Sequence, residues 1–258
     1  MSKHQLNDGE ERIEALGLTG LKILQPVEGY RFSIDPVLLC GFAVVSAKAR
    51  VIDLGTGNGV IPLLLSQLIT SDRIVGVERH QAMAMRAQRS VELNGLQEKI
   101  SIRHADIRSL PQTLNAEGFD AVFANPPYRS CQTGRVAPDG ERAAARHELA
   151  GDVTDFVRVA AYLLKQGGCF NIVFLAERLV ELMGVMSNFR LEPKRLRLVH
   201  GRDGQPAKLV LVEGRKNARP GLHIEPPLII YESEGRNYTL DVLNIYHSFQ
   251  GESGTESC

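Results

Sequence analysis

The sequence has few cysteines, no long apolar run and no excess of charge of either sign. Cys40, Cys131, Cys169 and Cys258 are scattered, with no CxxC pair and no histidine at metal-ligand spacing, so we expect neither disulfides nor a metal site. The longest apolar stretch, 60–69, contains polar residues and falls short of the roughly 20 residues of a membrane-spanning helix. Thirty basic residues balance thirty acidic ones, so any nucleic-acid-binding surface must be local. We therefore expect a cytoplasmic protein that does not enter a membrane.

The remaining composition is that of a globular chain. Of its 258 residues, 43% are hydrophobic and 23% are charged, which suffices to bury a sizeable core. The 24 glycines and 12 prolines follow no fixed period, which excludes collagen-like and low-complexity chains. The first 17 residues are polar and carry four acidic side chains, so we expect no secretory signal there.

From residue 51 onward, short apolar runs alternate with helix-like segments. The predicted strands are 51–54, 74–78, 100–104, 119–124, 169–175, 195–200 and 208–213, and the predicted helices are 60–69, 81–94, 152–165 and 176–188. This alternation predicts an α/β fold with a doubly wound, mostly parallel sheet and helices on both faces. No helix separates the last two strands, which predicts an antiparallel hairpin at one edge of the sheet.

Two further segments flank this core. Residues 21–25 and 30–34 lie on either side of the turn-like 26–29, which predicts an N-terminal β-hairpin. No convincing linker divides the chain. We therefore expect a single domain with an N-terminal cap at 1–47, a core at 48–216 and a C-terminal extension at 217–258.

A glycine-rich loop, 55–59, follows the first core strand and consists of Gly55, Thr56, Gly57, Asn58 and Gly59. Glycine lets the main chain approach a ligand closely, and the N-terminus of the next helix offers free N–H groups, which suits a nucleotide-like ligand. The third glycine comes one position too early for the G-x-G-x-x-G dinucleotide fingerprint. Asp53, two residues before the loop, would oppose a pyrophosphate but suits a ligand that carries an ammonium and a sulfonium. The pattern therefore indicates S-adenosylmethionine.

Two more acidic residues follow the next predicted strands. Glu78 ends the second strand, where its carboxylate can accept hydrogen bonds from both ribose hydroxyls, and Asp106 follows the third, where it can accept from an adenine amine. Each residue alone is also compatible with a helix cap or a solvated loop. Together with Asp53 and the glycine loop they predict a cofactor site, because carboxyl ends of parallel strands meet at one edge of a sheet.

The residues 51–59, Glu78 and Asp106 resemble the motifs of the class I S-adenosylmethionine-dependent methyltransferases, and the resemblance runs from about residue 25 to 214. It implies a seven-stranded sheet whose last strand is antiparallel. It also implies that Gly55, Gly57 and Gly59 line the methionine moiety, with Asp53 near its amino group.

A stiff segment, Asn125-Pro126-Pro127-Tyr128, ends the fourth predicted strand. Each proline fixes its own φ and disfavours helix at the preceding residue, so the segment is extended and its acceptors are aimed in advance. An amide or exocyclic amine is a poor nucleophile because its lone pair is delocalised. The Asn125 side-chain oxygen and the Pro126 carbonyl can accept both N–H bonds and direct that lone pair at a methyl group. Tyr128 would stack on the planar target, a task that needs its ring rather than its hydroxyl. A merely rigid turn is the alternative.

The same four residues resemble the NPPY motif of amino-methyltransferases, which act on planar nitrogens. The resemblance leaves several substrates open: adenine in DNA or RNA, guanine in ribosomal RNA, or a glutamine amide in release factors. A module that binds cofactor and RNA without turnover is a further alternative. The intact Asn125 and both prolines argue against it, since a binding module has no need to aim acceptors at an amine.

Basic residues are concentrated in two segments, 190–219 and 129–147. The second begins directly after Tyr128 and includes Arg129, Arg135, Arg142 and Arg146. Arginine-rich loops beside a base pocket suit phosphate contacts, although a solvated surface is an alternative explanation.

Short flanks and one more motif favour a particular family. About fifty residues precede the glycine loop, fewer than the helical domain of release-factor methyltransferases needs, and the tail is short for the recognition domain of DNA adenine methyltransferases. Gln25 and the stretch 29–39 resemble the bacterial tRNA1(Val) adenine N6-methyltransferases, which modify the adenine next to the anticodon. That resemblance implies that Phe32 and Asp35 close over the cofactor and that tRNA is the partner.

Overall fold

The computed structural model describes residues 11–27, 33–70, 74–128 and 152–250. The strands are β1 (Glu11–Ala15), β2 (Lys22–Pro26), β3 (Val51–Leu54), β4 (Ile74–Glu78), β5 (Ile100–His104), β6 (Phe119–Ala124), β7 (Leu164–Leu175), β8 (Leu191–His200), β9 (Ala207–Lys216), β10 (His223–Ile224) and β11 (Leu228–Ile229). The helices are α1 (Asp35–Phe42), α2 (Val60–Leu68), α3 (Gln81–Leu93), α4 (Leu110–Thr113), α5 (Val153–Leu163), α6 (Leu179–Asn188) and α7 (Leu240–His247).

A nine-stranded sheet forms the centre, in the order β10-β8-β9-β7-β6-β3-β4-β5, with β11 also paired to β8. The strands β7, β6, β3, β4 and β5 are parallel, whereas β9 pairs antiparallel with both β7 and β8. The predicted α/β class, the mostly parallel sheet and the antiparallel hairpin of the last two core strands are therefore confirmed. The described sheet has nine strands rather than the seven that the resemblance implied, because two short strands of the C-terminal extension, β10 and β11, add to the outer side of β8.

The N-terminal hairpin exists, but its strands are not those that the sequence pattern predicted. The sequence pattern predicted 30–34 as the partner of 21–25, whereas β2 pairs antiparallel with β1 through a register that joins Glu11 to Pro26 and Ala15 to Lys22. Residues 30–32 of the predicted partner lie outside the described residues. The turn between them contains Gly17 and Gly20, both at positive φ. Helix α1 begins at Asp35, and the fixed φ of Pro36 suits its first turn. The sequence pattern did not predict β1, because its residues are mostly charged and show no apolar run.

Apolar side chains fill both faces of the sheet. Successive residues of a strand point to opposite faces, and in β6 Phe123 is packed with the cluster under α1, α2 and α7 while Val122 is packed with the cluster under α5 and α6. All four residues of β3 are buried. This burial on both sides explains why the core strands are nearly continuous apolar runs.

The N-terminal hairpin is fastened to α3 by hydrogen bonds between main chain and side chain. The Leu24 amide donates to Ser90 Oγ at 3.0 Å, and the Asn94 side chain both accepts from the Lys22 amide and donates to its carbonyl. These bonds hold β2 against α3, the helix that follows β4. Within the described ranges, no helix is long and apolar enough to cross a membrane.

Candidate active site

A cavity of about 510 Å³ opens at the carboxyl ends of β3, β4 and β6. This is the edge of an open parallel sheet at which ligands bind, because the loops that leave the strands diverge there. The predicted site residues that line it are Asp35, Asp53, Gly55, Thr56, Gly57, Asn58, Glu78, Asp106, Asn125, Pro126, Pro127 and Tyr128. Phe32, also predicted, lies outside the described residues.

The loop between β3 and α2 folds back on β4. The amides of Gly55 and Thr56 both donate to the Val77 carbonyl at 2.9 Å. Gly57 has a φ of 58° and Gly59 one of 88°, a left-handed region that favours glycine. Gly59 does not line the cavity itself, and a Cβ there would come within 3.2 Å of Ala87 Cβ. Its task is to let α2 begin close to α3.

Asp53 is the most deeply buried acid of the cavity wall, with 1% of its surface exposed. Burial raises the pKa of Asp53 to about 7, and the charge of Glu78 acts in the same direction, whereas the Thr56 hydroxyl opposes the rise. Among the described residues, no donor reaches hydrogen-bonding geometry with either carboxylate oxygen. A buried carboxylate without donors is costly, so this position suits a cationic ligand.

Glu78 is also buried, but its carboxylate is held by the backbone. Oε2 accepts from the Gly57 amide at 2.9 Å, and Oε1 accepts from the His80 amide at 2.8 Å. Each oxygen keeps a further lone pair for a ligand hydroxyl. The side chain thus fixes the glycine loop and still faces the cavity.

Asp106 lines the cavity while serving a second purpose. Its Oδ1 caps the short helix at 107–109 by accepting from the Arg108 amide, and its carboxylate also accepts from the Arg108 guanidinium at 2.6 Å. Hydrogen bonding to Arg108 lowers the pKa of Asp106, and the positive charge of Arg79 adds to this effect. The helix cap and the site are therefore compatible uses of one side chain.

The Asn125-to-Tyr128 segment leaves β6 and forms the wall opposite Glu78. The Tyr128 hydroxyl lies 2.5 Å from Asp35 Oδ2 and 3.1 Å from Asn125 Oδ1. Arg178 donates to the Tyr128 carbonyl at 3.3 Å. The Tyr128 hydroxyl, to which the sequence pattern assigned no task, therefore joins α1 to the segment.

Several cavity residues carried no signal in the sequence. Phe156 lies on the apolar stripe of α5 and reads there as an ordinary core residue, and Met83 and His80 belong to the start of α3. Arg79, directly after Glu78, has one guanidinium nitrogen that is buried without a partner among the described residues. Only its place after the acid at the end of β4 could have suggested it.

The unpaired groups of the cavity match S-adenosylmethionine. Neither Asp53 oxygen, the Thr56 hydroxyl nor the Asn58 amide nitrogen has a hydrogen-bond partner in the described part of the chain. They offer an anionic and several polar contacts, while Ile107, Phe156 and the prolines supply apolar surface. The volume also falls in the range of about 300–1,000 Å³ that small-ligand sites occupy. The residues present therefore fit the cofactor that the glycine loop predicted.

Similarity to known proteins shows the family to which the chain belongs. The sequence profile of a family described as a methyltransferase domain matches residues 46–187. With the fold and the cavity, this match defines a class I S-adenosylmethionine-dependent methyltransferase. Two curated relatives, from Actinobacillus succinogenes and Aeromonas salmonicida, are both described as tRNA1(Val) (adenine(37)-N6)-methyltransferases; they are 30% and 29% identical, and each match covers 83% of this chain and 88% of the relative. The chain belongs to the family of the tRNA1(Val) adenine N6-methyltransferases.

A solved structure shows the same fold. It is described as a predicted O-methyltransferase from Agrobacterium tumefaciens, and it matches with a TM-score of 0.67 at 24% identity over 84% of this chain and 97% of its own length. At this identity the likeness concerns the fold alone.

Proposed function

We propose that the protein transfers a methyl group from S-adenosylmethionine to the exocyclic N6 amine of an adenine in tRNA, the adenine 37 of tRNA1(Val) that its relatives are named for. The observation that carries the proposal is that Asn125 to Tyr128 line the same cavity as Asp53 and Glu78. The acceptors for a planar amine therefore lie within reach of the cofactor site. The alternatives, a ribosomal guanine, a release-factor glutamine or a module without turnover, have no comparable support among the relatives.

The cofactor contacts follow from the unpaired groups. The Asp53 carboxylate would hold the ammonium of the methionine moiety, and the glycine loop would lie along it. Glu78 would accept from the ribose hydroxyls through its remaining lone pairs, and Asp106 would accept from the adenine amine. Asn58 and Thr56 offer further polar contacts at the turn of the loop. These roles need no rearrangement of the backbone hydrogen bonds already described.

The residues of the 125–128 segment act on the target amine by positioning. Asn125 Oδ1 and the Pro126 carbonyl would accept its two N–H groups, so that the nitrogen lone pair points at the transferred carbon. The cofactor supplies a methyl group on a sulfonium: an N–C bond forms as the C–S bond breaks, and the bonding pair goes to sulfur. One amine proton then leaves to solvent. Tyr128 would stack on the extruded base.

Cofactor affinity is expected to depend on pH because of Asp53. Its pKa of about 7 in the free protein means that the carboxylate is increasingly protonated below neutrality, and the protonated form cannot hold an ammonium. Between pH 7 and pH 5.5 the dissociation constant should rise by on the order of tenfold. Calorimetric titration with S-adenosylmethionine across this range measures it. Asp53→Asn should be nearly independent of pH there, and a flat profile for the wild type would contradict the assigned contact.

The basic segment 190–219 does not form one RNA-facing surface. Arg195 contacts Glu213 at 2.9 Å and Glu225 at 2.6 Å, and Arg197 contacts Asp241 at 3.2 Å. Glu225 and Asp241 belong to the C-terminal extension. These arginines therefore hold the extension against β8, and their guanidinium groups are paired with carboxylates instead of being available to phosphates.

Two further basic residues of that segment, Arg190 and Arg215, lie at the end of the sheet opposite the cavity. Paired residues lead from Val51, at the start of β3, through Ala121 and Cys169 to Arg215. The cavity lies beyond the opposite end of β3. Because β8 begins beside the last residues of β9, Arg190 also lies far from the cavity. The segment 129–147, which follows Tyr128 directly in the chain, lies outside the described residues.

The contrast between the basic segments 190–219 and 129–147 gives a prediction for tRNA binding. Neutralising Arg135 and Arg142 together should flatten the dependence of tRNA affinity on salt by about one to two units of logarithmic slope, because phosphate contacts release counterions. The matched control neutralises Arg190 and Arg219, which are exposed and have no ion pair in the described structure. The control should leave the slope unchanged. Filter binding over a salt series measures both, and equal slopes in the two double variants would refute the assignment.

The function itself is tested by incubating the protein with labelled S-adenosylmethionine and separate pools of tRNA, ribosomal RNA, DNA and release factor. Label should enter tRNA, and nuclease digestion should release it as N6-methyladenosine. Label in guanine of ribosomal RNA or in a protein glutamine would replace the proposal by one of its alternatives.

We also propose a location and a domain division. A protein that acts on tRNA is expected in the cytoplasm. The chain is divided into an N-terminal cap at 1–47, a catalytic core at 48–216 and a C-terminal extension at 217–258, which together form one domain.

A further inference from the structure

The Tyr128 hydroxyl lies between two groups that come from distant parts of the chain. Asp35, in the first turn of α1, is 7% exposed, and its Oδ2 is 2.5 Å from the hydroxyl oxygen. Asn125 Oδ1 is 3.1 Å from the same oxygen. Asp35 and Tyr128 are separated by 93 positions, so only the folded structure brings them together.

One hydroxyl proton cannot serve both contacts. An ionised carboxylate only accepts hydrogen bonds, and 2.5 Å lies in the range of about 2.5–2.7 Å for a charge-assisted O–H···O⁻ bond, so the proton belongs to the bond with Asp35. The hydroxyl oxygen then presents a lone pair to Asn125. The two ends of a side-chain amide have nearly the same shape, and a half-turn places the Asn125 NH₂ group against that lone pair. All three groups are then satisfied.

We propose that Asp35 is a positioning residue for methyl transfer, which acts through Tyr128 on Asn125. In this relay Asn125 Nδ2 donates to the Tyr128 oxygen, and the Tyr128 hydroxyl donates to Asp35. The amide is thereby fixed with Oδ1 turned away from Tyr128, free to accept the target amine. The inference rests on the proposed function, since it assigns how the acceptor for that amine is oriented.

Through this relay, the orientation of the Asn125 side-chain amide depends on Asp35 in α1. Without the carboxylate, the Tyr128 hydroxyl would be released to donate to Asn125 Oδ1, which lies 3.1 Å away. The oxygen needed for the target amine would then be occupied. A second cavity, which shares Ser33 with the first, does not touch the relay.

Single-turnover methyl transfer with saturating tRNA and cofactor measures the effect. Tyr128→Phe, which keeps the ring, and Asp35→Leu should each lower the rate by about tenfold, with tRNA and cofactor dissociation constants within twofold of the wild type. The double variant should be no slower than either single variant, because both break the same relay. Asp35→Asn keeps an acceptor oxygen and should restore most of the rate.

Tyr162→Phe is the matched control. It removes a hydroxyl that contacts the carbonyls of Pro111 and Leu114, at 3.2 and 3.3 Å, outside the cavity. Its rate should equal that of the wild type. A wild-type rate for Tyr128→Phe, or effects that multiply in the double variant, would overturn the proposal. So would an Asp35→Leu variant that loses only cofactor affinity.

A spectroscopic measurement does not depend on activity. The side-chain amide signal of Asn125, assigned by its absence in Asn125→Ala, should be protected from solvent exchange in the wild type and lose this protection in Tyr128→Phe and Asp35→Leu. Unchanged protection would refute the relay even if the wild type proved inactive on tRNA. Inactivity of the wild type, with the protection lost in both variants, would refute only the proposed function.

Discussion

Replacing Asn125 by alanine is expected to lower kcat by on the order of a hundredfold or more while tRNA binding persists. The reason is that the bond from the target amine to Asn125 Oδ1 matters most in the transition state, where positive charge develops on nitrogen. An interaction that strengthens in this way affects kcat more than KM. Single-turnover transfer from saturating cofactor to saturating tRNA isolates the chemical step.

The control for this variant is Asn217→Ala. Asn217 is exposed, and its side chain donates to Gln166 at 2.7 Å near the opposite end of the sheet. The change removes the same amide and should leave kcat unaltered. An Asn125→Ala rate within a few-fold of the wild type would mean that the acceptor for the amine lies elsewhere.

Asp53→Asn is expected to change cofactor affinity and stability in opposite directions. Loss of a charge-assisted hydrogen bond to an ammonium should weaken S-adenosylmethionine binding by about 1–3 kcal/mol, which corresponds to roughly 5- to 150-fold. The free protein should at the same time become more stable at pH 8. The pKa of Asp53 rises from 3.8 to about 7 on folding, mainly by burial, so ionisation opposes the folded state.

The sign of the stability change follows from the proton balance. Between the two pKa values the folded state holds a proton that the unfolded state has lost, so wild-type stability falls as the pH rises through this range. We expect Asp53→Asn to gain on the order of 2 kcal/mol at pH 8, less than the roughly 4 kcal/mol that three pKa units represent, because the new amide remains without partners. The gain should disappear near pH 4.

Chemical denaturation at pH 8 and pH 4 measures the stability, and calorimetry measures the affinity. Asp241→Asn, at an exposed carboxylate that pairs with Arg197, is the matched control and should change neither by more than about 0.5 kcal/mol. A variant that is destabilised at pH 8, or that binds the cofactor as tightly as the wild type, would show that Asp53 is not an unpaired charge reserved for the ligand.

Local sequence determined most of the fold and the positions of the candidate site. The continuous apolar runs of β3, β4 and β6 indicate strands buried on both faces, and their loops begin with Gly55, Arg79 and Asn125, so the carboxyl ends were identifiable. The acids Asp53 and Glu78 stand out because acids are rare in such runs. The apolar runs and the places of the acids within them are local properties, so they can be identified directly in the sequence.

Tertiary structure alone decided which partners these residues have. The pairing of β2 with β1 depends on a turn that brings together two segments, of which the charged β1 carries no strand signal. The sequence could not show that Arg195 forms ion pairs with Glu213 and Glu225 rather than contributing to a phosphate-binding surface. A run of basic residues does not reveal whether an acidic partner lies on a neighbouring segment of the fold. The contact of Asp35 with Tyr128 likewise joins residues 93 positions apart. Such contacts depend on how elements pack, and no local spacing in the sequence records them.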